Sequence, residues 1–399
     1  MTLSLIGKDG TSVTAPAAEA QTVQRLLEQA TGQPFIGGNH VRVLQNGSEI
    51  FPPMLDAIRL AEHRIDFATY VYWTGDIARA FATVLSARAR SGLRVRVLLD
   101  SFGAKRMRSQ LLEQMTRAGV QIRWFRPLSK LRPWRNDKRT HRKLLICDDS
   151  VGFTGGVGIA DEWKGDARNP SEWRDTHVAI RGPAINGLRA AFVDNWNEAG
   201  EWEFDERVAR PAARAGNIPV QVVRASTTIG WTDTANLLRG LISISKRQLR
   251  LVTAYFNPDN TLVEQLLAAN RRGVDIRILV PGPHCDSRLS QLAGFESMQR
   301  LMAAGIRVWM YQRTMLHAKV ITVDSNVAMI GSANLNFRSM NKDEECCVVM
   351  LSGDIAQELD DRFDDDCRDA EEQLADDWKS RSRFLRLQER CARLIKEQV

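Results

Sequence analysis

The stretch "HRKLLICDDSVGFTGG" occupies residues 141–156, and "HAKVITVDSNVAMIGS" occupies residues 317–332. Both open His-x-Lys, place an Asp five positions after the Lys, and close on a pair of small residues. A chain that writes such a pattern twice is constrained to two matching units, because each copy needs the same local backbone. His-x-Lys at strand spacing puts both side chains on one face. The apolar runs "LLIC" and "VITV" then hold the strand in a core, and Asp148 and Asp324 fall at the strand end before a turn. Gly155-Gly156 and Gly331-Ser332 follow a second short apolar run, where small side chains leave room for a ligand.

The self-similarity extends well beyond these stretches. "HRIDFATYVYW" (63–73) parallels "RQLRLVTAYFNP" (247–258), "RSGLRVRVLLDSFG" (90–103) parallels "RRGVDIRILVPGP" (271–283), and "RAGVQIRWF" (117–125) parallels "AAGIRVWMY" (303–311). Runs with helical spacing lie between them, each closed by a Gly that suits a helix C-terminus. Alternation of this kind predicts an α/β fold of two similar lobes, each a mostly parallel mixed sheet flanked by helices. A pseudo-twofold would relate the lobes around one shared site. The expected divisions are an arm at 1–38, lobes at 39–215 and 216–378, and a basic amphipathic helix at 379–399. From Gly119 to His141 is 22 residues and from Gly305 to His317 is 12, so the first lobe carries an insertion.

One such motif is weak evidence of catalysis. Two in matching contexts can meet in a central cleft with two imidazoles and two ammonium groups. That set suits a phosphodiester: the lysines offset phosphate charge, one His attacks phosphorus and the other protonates the leaving alcohol. The net charge of +7 fits an anionic partner, whether lipid surface, nucleic acid or phosphorylated metabolite. The six cysteines show no metal-ligand spacing, and His284 with Cys285 has no partner ligands, so neither metal nor cofactor is expected. No stretch approaches the roughly 20 apolar residues that span a bilayer, and no signal-peptide pattern opens the chain. A peripheral protein on the cytoplasmic side of the membrane is the expectation.

The doubled H-x-K-x-x-x-x-D pattern with "GG" and "GSAN" downstream resembles the phospholipase D superfamily over about residues 39–378. Within it, "GGVGIADEWKGDARNPSEWRDT", "TMLHAK" and "GSANLNFRSMNKDEE" are similar to bacterial cardiolipin synthases. The resemblance implies a phosphatidyltransferase that moves a phosphatidyl group to a hydroxyl of another phospholipid, typically phosphatidylglycerol. Water as acceptor gives a phospholipase D with the same residues, and a nuclease is the rival class. His141 would be the nucleophile that forms a phosphohistidine, and His317 the acid that later acts as base. Lys143, Lys319, Asn334, Ser332 and Gly156 would contact phosphate, with Asp148 and Asp324 completing the motifs. An acid downstream of each motif would orient its His, which points to Asp175 for the first and Glu345 for the second. Gly158 stands where the second motif has Asn334, so the halves are unequal.

The implied partners are anionic phospholipids (phosphatidylglycerol, cardiolipin) with peripheral membrane contact and no nucleic acid. Residues 123–143 hold nine basic residues against one acid, Asp137, interleaved with Trp124 and Trp134. Indoles favour the headgroup level of a bilayer, so these two tryptophans are the expected membrane contacts, with the 381–399 segment a second one. The acidic run 360–378 reads as a solvated helix face.

Overall fold

The computed structural model describes residues 3–6, 12–15, 17–128, 137–203, 212–226, 233–379, 381–382, 387–389 and 391–392. Among these residues, fifteen strands form one continuous mixed sheet. In the first half its order, from the outer edge inward, is Gln121–Phe125, Arg94–Asp100, Arg64–Thr69, Leu144–Cys147, Val151–Gly155, Thr176–Arg181 and Ile36–Gln45. The second half repeats that order as Arg307–Tyr311, Asp275–Pro281, Gln248–Val252, Val320–Val323, Val327–Gly331, Glu345–Leu351 and Ile218–Ala225, with Ala370–Gln373 added at its edge. In each half the first three strands named pair parallel and the remaining neighbours antiparallel, as does the added edge strand Ala370–Gln373. The halves join edge to edge, where Ile218–Ala225 runs antiparallel to Ile36–Gln45 across a bulge. The join gives each lobe's last strand a hydrogen-bonded neighbour, so neither is left as an open edge.

Both faces of the sheet are covered, as its unbroken apolar strands require. Along Leu144–Cys147 the side chains alternate. Leu144 and Ile146 enter a central core shared by both halves, whereas Leu145 and Cys147 enter the first lobe's own core. In the repeat, Val320 points to the central core and Ile321 and Val323 to the second lobe's core. Helices Ile185–Glu198 and Gly353–Arg368 cover the central face with Leu188, Phe192, Ala356 and Leu359. Truncating a fully buried strand residue such as Leu145 to Ala would cost about 2–5 kcal/mol.

The arm expected at 1–38 is not separate from the lobes. Helix Ala17–Thr31 buries Leu27 in the second lobe's core, and the Gln221 side chain donates to Thr31 Oγ1 at 2.9 Å and to the Gln33 carbonyl at 2.6 Å. Strand Ile36–Gln45 already belongs to the first half. An apolar stripe at helical spacing needs a partner surface, and the second lobe supplies it. The acidic run is also only partly a solvated face. Asp360 is buried and accepts hydrogen bonds from Thr322, Ser325 and Gln248, and Asp366 pairs with Arg174 at 2.9 Å. Much of the expected 379–399 helix lies outside the described residues. Within it, Ala392 is buried against the second lobe and Leu387 is exposed.

Candidate active site

Each His-x-Lys precedes its strand as an extended segment and is caught by backbone of the opposite lobe. The His141 amide donates to the Glu344 carbonyl at 2.8 Å, and the Glu344 amide donates to the Arg139 carbonyl at 2.8 Å. In the other half the His317 amide donates to the Arg174 carbonyl at 2.7 Å, and the Arg174 amide to the Met315 carbonyl at 2.9 Å. These bridges lay each motif beside the acid-bearing segment of the other lobe. The orienting carboxylates are therefore exchanged. His141 Nδ1 lies 3.1 Å from both oxygens of Glu345, and His317 Nδ1 lies 2.8 Å from Asp175 Oδ2. The expectation that each acid serves the His of its own motif is corrected: sequence order pairs 141 with 175, but the interlobe bridges pair 141 with 345 and 317 with 175. With Nδ1 held by a carboxylate, Nε2 is the nitrogen left for substrate in His141, while in His317 Nε2 also lies 3.2 Å from Lys319 Nζ.

Burial and charge set the protonation states. Both imidazoles are pushed below their ordinary range, first by burial and then by the nearby lysines; His317 falls to about 3. Lys143 is lowered to about 7 and Lys319 to about 8, again chiefly by burial. Burial opposes ionisation of Glu345 and Asp175, yet the adjacent His and Lys groups outweigh it. Glu345 is held down at about 2, and Asp175 is also lowered. The two carboxylates stay charged and the free-state histidines stay neutral near pH 7. Lys143 Nζ donates to the His141 carbonyl at 2.7 Å, and Lys319 Nζ stands 3.1 and 3.2 Å from the two ring nitrogens of His317.

Several expected contacts take other roles. Asp148 accepts from the backbone amides of Glu62, His63 and Arg64 at 2.8–2.9 Å, and Asp324 from those of Lys246, Arg247 and Gln248 at 2.7–3.0 Å. Both aspartates have positive φ, 52° and 53°. They tie the end of one strand to the start of its neighbour, the anchoring role that their strand-end position suggests. Ser332 is fully buried, donates to Glu345 Oε2 and receives the Cys346 amide, so it fixes the acid and not the phosphate. A Cβ at Gly156 would come within 2.0 Å of Asp175 Oδ1. That glycine makes room for the carboxylate and not for a ligand. At Gly158 a Cβ would meet Val71 at 2.7 Å and the Trp163 ring at 3.0 Å, which explains why no Asn stands there.

Asn334, His141, Lys143 and His317 line one cavity of about 530 Å³. Asn334 is buried, and its Oδ1 has no hydrogen-bond partner among the described residues. Lys319 lies beneath His317, 1 % exposed. Sequence reasoning missed the groups that hold the acids. Trp163 Nε1 donates to Asp175 Oδ2 at 2.8 Å, and Ser339 Oγ donates to Glu345 Oε1 at 2.7 Å. It also missed Tyr70, whose ring stands edge-on to His141 at 5.2 Å, and Trp173, 5.5 Å from His317. The doubled Trp in "DEWKGDARNPSEW" was the available signal. Trp124, an expected membrane contact, sits half-buried on strand Gln121–Phe125 and packs against the first lobe's core. Trp134 lies outside the described residues. Among the described residues, no group of three or more His, Cys, Asp or Glu is arranged to hold a metal ion, and no helix is long and apolar enough to cross a membrane.

Fold and site together define a duplicated α/β protein with a single two-histidine, two-lysine centre built from both halves. The chain belongs to the family described as cardiolipin synthase, PLD-like domain, which matches residues 54–163 and 238–367. It is 30 % identical to cardiolipin synthase 1 of Bacillus anthracis over 96 % of this chain and 77 % of that one. It is also 30 % identical to the major cardiolipin synthase of Bacillus subtilis, over 90 % of this chain and 76 % of that one. Among solved structures, phosphatidylserine synthase of Haemophilus influenzae shares the fold with a TM-score of 0.69 at 14 % identity, covering 95 % of this chain and all of that one.

Proposed function

We propose that the chain is a phosphatidyltransferase of the cardiolipin synthase type working through a phosphohistidine. One observation carries the reading: each His takes its orienting carboxylate from the other half of the chain, so neither motif is complete alone. In the first step His141 Nε2 attacks phosphorus, the bond to the leaving alcohol oxygen breaks, and His317 supplies the proton. Arrival of the phosphodiester anion raises the histidine pKa values and loads that proton. In the second step an acceptor hydroxyl gives its proton to His317, its oxygen attacks phosphorus, and the P–N bond breaks. Lys143, Lys319 and Asn334 stabilise the phosphoryl oxygens as charge builds on them. Names of the relatives support cardiolipin as the product, and with phosphatidylglycerol as both donor and acceptor the released alcohol is glycerol.

The cavity has room for a phosphodiester headgroup, so the acyl chains stay outside at a bilayer. Phe102 lines the cavity and is 45 % exposed, with Lys105 Nζ 4.3 Å from its ring centroid; Leu289, between lining residues Ser287 and Ser290, is also exposed. Apolar groups beside cations suit an anionic lipid surface. These residues replace Trp124 as the membrane contact. Incubation with labelled phosphatidylglycerol tests the reading. Cardiolipin and free glycerol are expected. Phosphatidic acid alone would make the protein a hydrolase, and oligonucleotide cleavage without lipid turnover would make it a nuclease.

A further inference from the structure

The wall of the cavity beside His317 carries a pair that the transfer steps above do not use. Tyr255 Oη donates to the Asp286 carboxylate, 2.9 Å from each oxygen, and both residues line the cavity. The Tyr255 ring stands 6.4 Å from the His317 ring at 84°. Among the described residues the first half has no such pair. Thr69 and Thr253 occupy equivalent places in the two halves, each donating its hydroxyl to the carbonyl two residues on, and those residues are Val71 and Tyr255. On the His141 side Val71 and Tyr70 face the cavity and the lining carboxylates, Asp137 and Asp343, are held by Arg338, whereas on the His317 side the carboxylate is held by a phenol.

A carboxylate is an odd neighbour for a phosphodiester, since it repels the phosphate and accepts hydrogen bonds only. It does suit a ligand part that donates, and on His317's side that part is the alcohol that leaves or arrives. We propose that Tyr255 and Asp286 form the subsite for the alcohol and select one with a second hydroxyl beside the reacting one, such as a glycerol headgroup. Asp286 accepts from the neighbouring hydroxyl while His317 takes the proton of the reacting one. The oxygen left deprotonated then attacks phosphorus and the P–N bond breaks. A cationic amine is a poorer match, because Lys143 and Arg338 line the same cavity, burial holds the Asp286 carboxyl above its ordinary range, and Tyr255 and Lys319 already offset the charge it carries.

This inference rests on the phosphatidyltransferase reading, and the test separates the two. The donor is a phosphatidyl p-nitrophenyl ester in mixed micelles, so nitrophenol release reports the first step without need of an acid. Glycerol, propane-1,2-diol, propan-1-ol and ethanolamine compete at equal concentration, and the ratio of phosphatidyl products is read by mass spectrometry. Ratios from one mixture are independent of overall rate. The intact protein should favour the two polyols over propan-1-ol by about tenfold or more, as loss of a hydrogen bond to a charged group implies. Asp286→Ala and the conservative Tyr255→Phe should each bring that ratio to within about threefold of unity. Equal use of all alcohols by the intact protein, preference for ethanolamine, or an unchanged ratio in both variants would overturn the subsite, whereas reaction with water alone would overturn the transferase reading. Absence of nitrophenol release from the intact protein would also overturn the phosphatidyltransferase reading on which it rests.

Discussion

Exchange of carboxylates between the halves makes a prediction that no reading of one motif would make. Glu345→Gln should cripple the step performed by His141, and Asp175→Asn the step performed by His317. Glu345 drops from an ordinary 4.5 to about 2, with burial opposing the change. The gap corresponds to about 3 kcal/mol favouring the carboxylate over its neutral form. His141, Lys143 and Ser332 share that energy. An amide keeps the shape and loses the charge that stabilises His141 as it becomes positive on attack. Removal of most of the 3 kcal/mol slows the reaction by about 10²-fold. The assay compares phosphatidylglycerol with the p-nitrophenyl donor, whose leaving group needs no proton. Asp175→Asn should be largely rescued by the better leaving group, because it disables the acid. Glu345→Gln should remain slow with both donors, because it disables the nucleophile. Rescue of Glu345→Gln but not Asp175→Asn would refute the assignment.

The lysine and histidine shifts fix the pH profile of kcat/KM, which reports the free enzyme. Lys143 and Lys319, lowered to about 7 and about 8, lose charge as pH rises through those values, so the alkaline limb should begin near pH 7–8 and not near 10. His141 is lowered too and stays neutral below its ordinary value, so the acid limb should fall below pH 6.5. A plateau extending to pH 10 would contradict this. Asp148→Ala should lower stability by about 2 kcal/mol through loss of its amide contacts, with kcat per folded molecule retained, as thermal unfolding and active-site titration will show. In co-sedimentation with phosphatidylglycerol vesicles at high salt, Phe102→Ala with Leu289→Ala should reduce binding about tenfold or more. Trp124→Ala should alter stability and leave vesicle binding in place; the reverse pattern would restore Trp124 as the contact.

The duplicated strands were legible because their patterns are local: "LLIC" and "VITV" are apolar without a break, and the same neighbours recur in the same order. The edge-to-edge join was not, since nothing in Ile36–Gln45 or Ile218–Ala225 names its partner. His141, Lys143, His317 and Lys319 were legible for the same reason of repetition. The exchanged acids were not, because the bridges from His141 to Glu344 and from His317 to Arg174 are long-range backbone contacts without a side-chain signature. Small residues misled most. Gly156 and Ser332 look like space for a ligand, but each is shaped around the carboxylate behind it. Trp124 misled in another way, since an indole among arginines reads the same whether it faces lipid or a core.

The central claim is that both halves build one centre in which a histidine becomes phosphorylated. Its most direct measurement uses donor lipid labelled at phosphorus, acid-free quenching during turnover, digestion and mass spectrometry of the labelled peptide. The account predicts one label per chain, on His141. It should be absent from His141→Ala and present, in slower formation with the p-nitrophenyl donor, in His317→Ala. Label on His317 would reverse the roles, and rapid product formation with no labelled histidine at any time would contradict the covalent mechanism altogether.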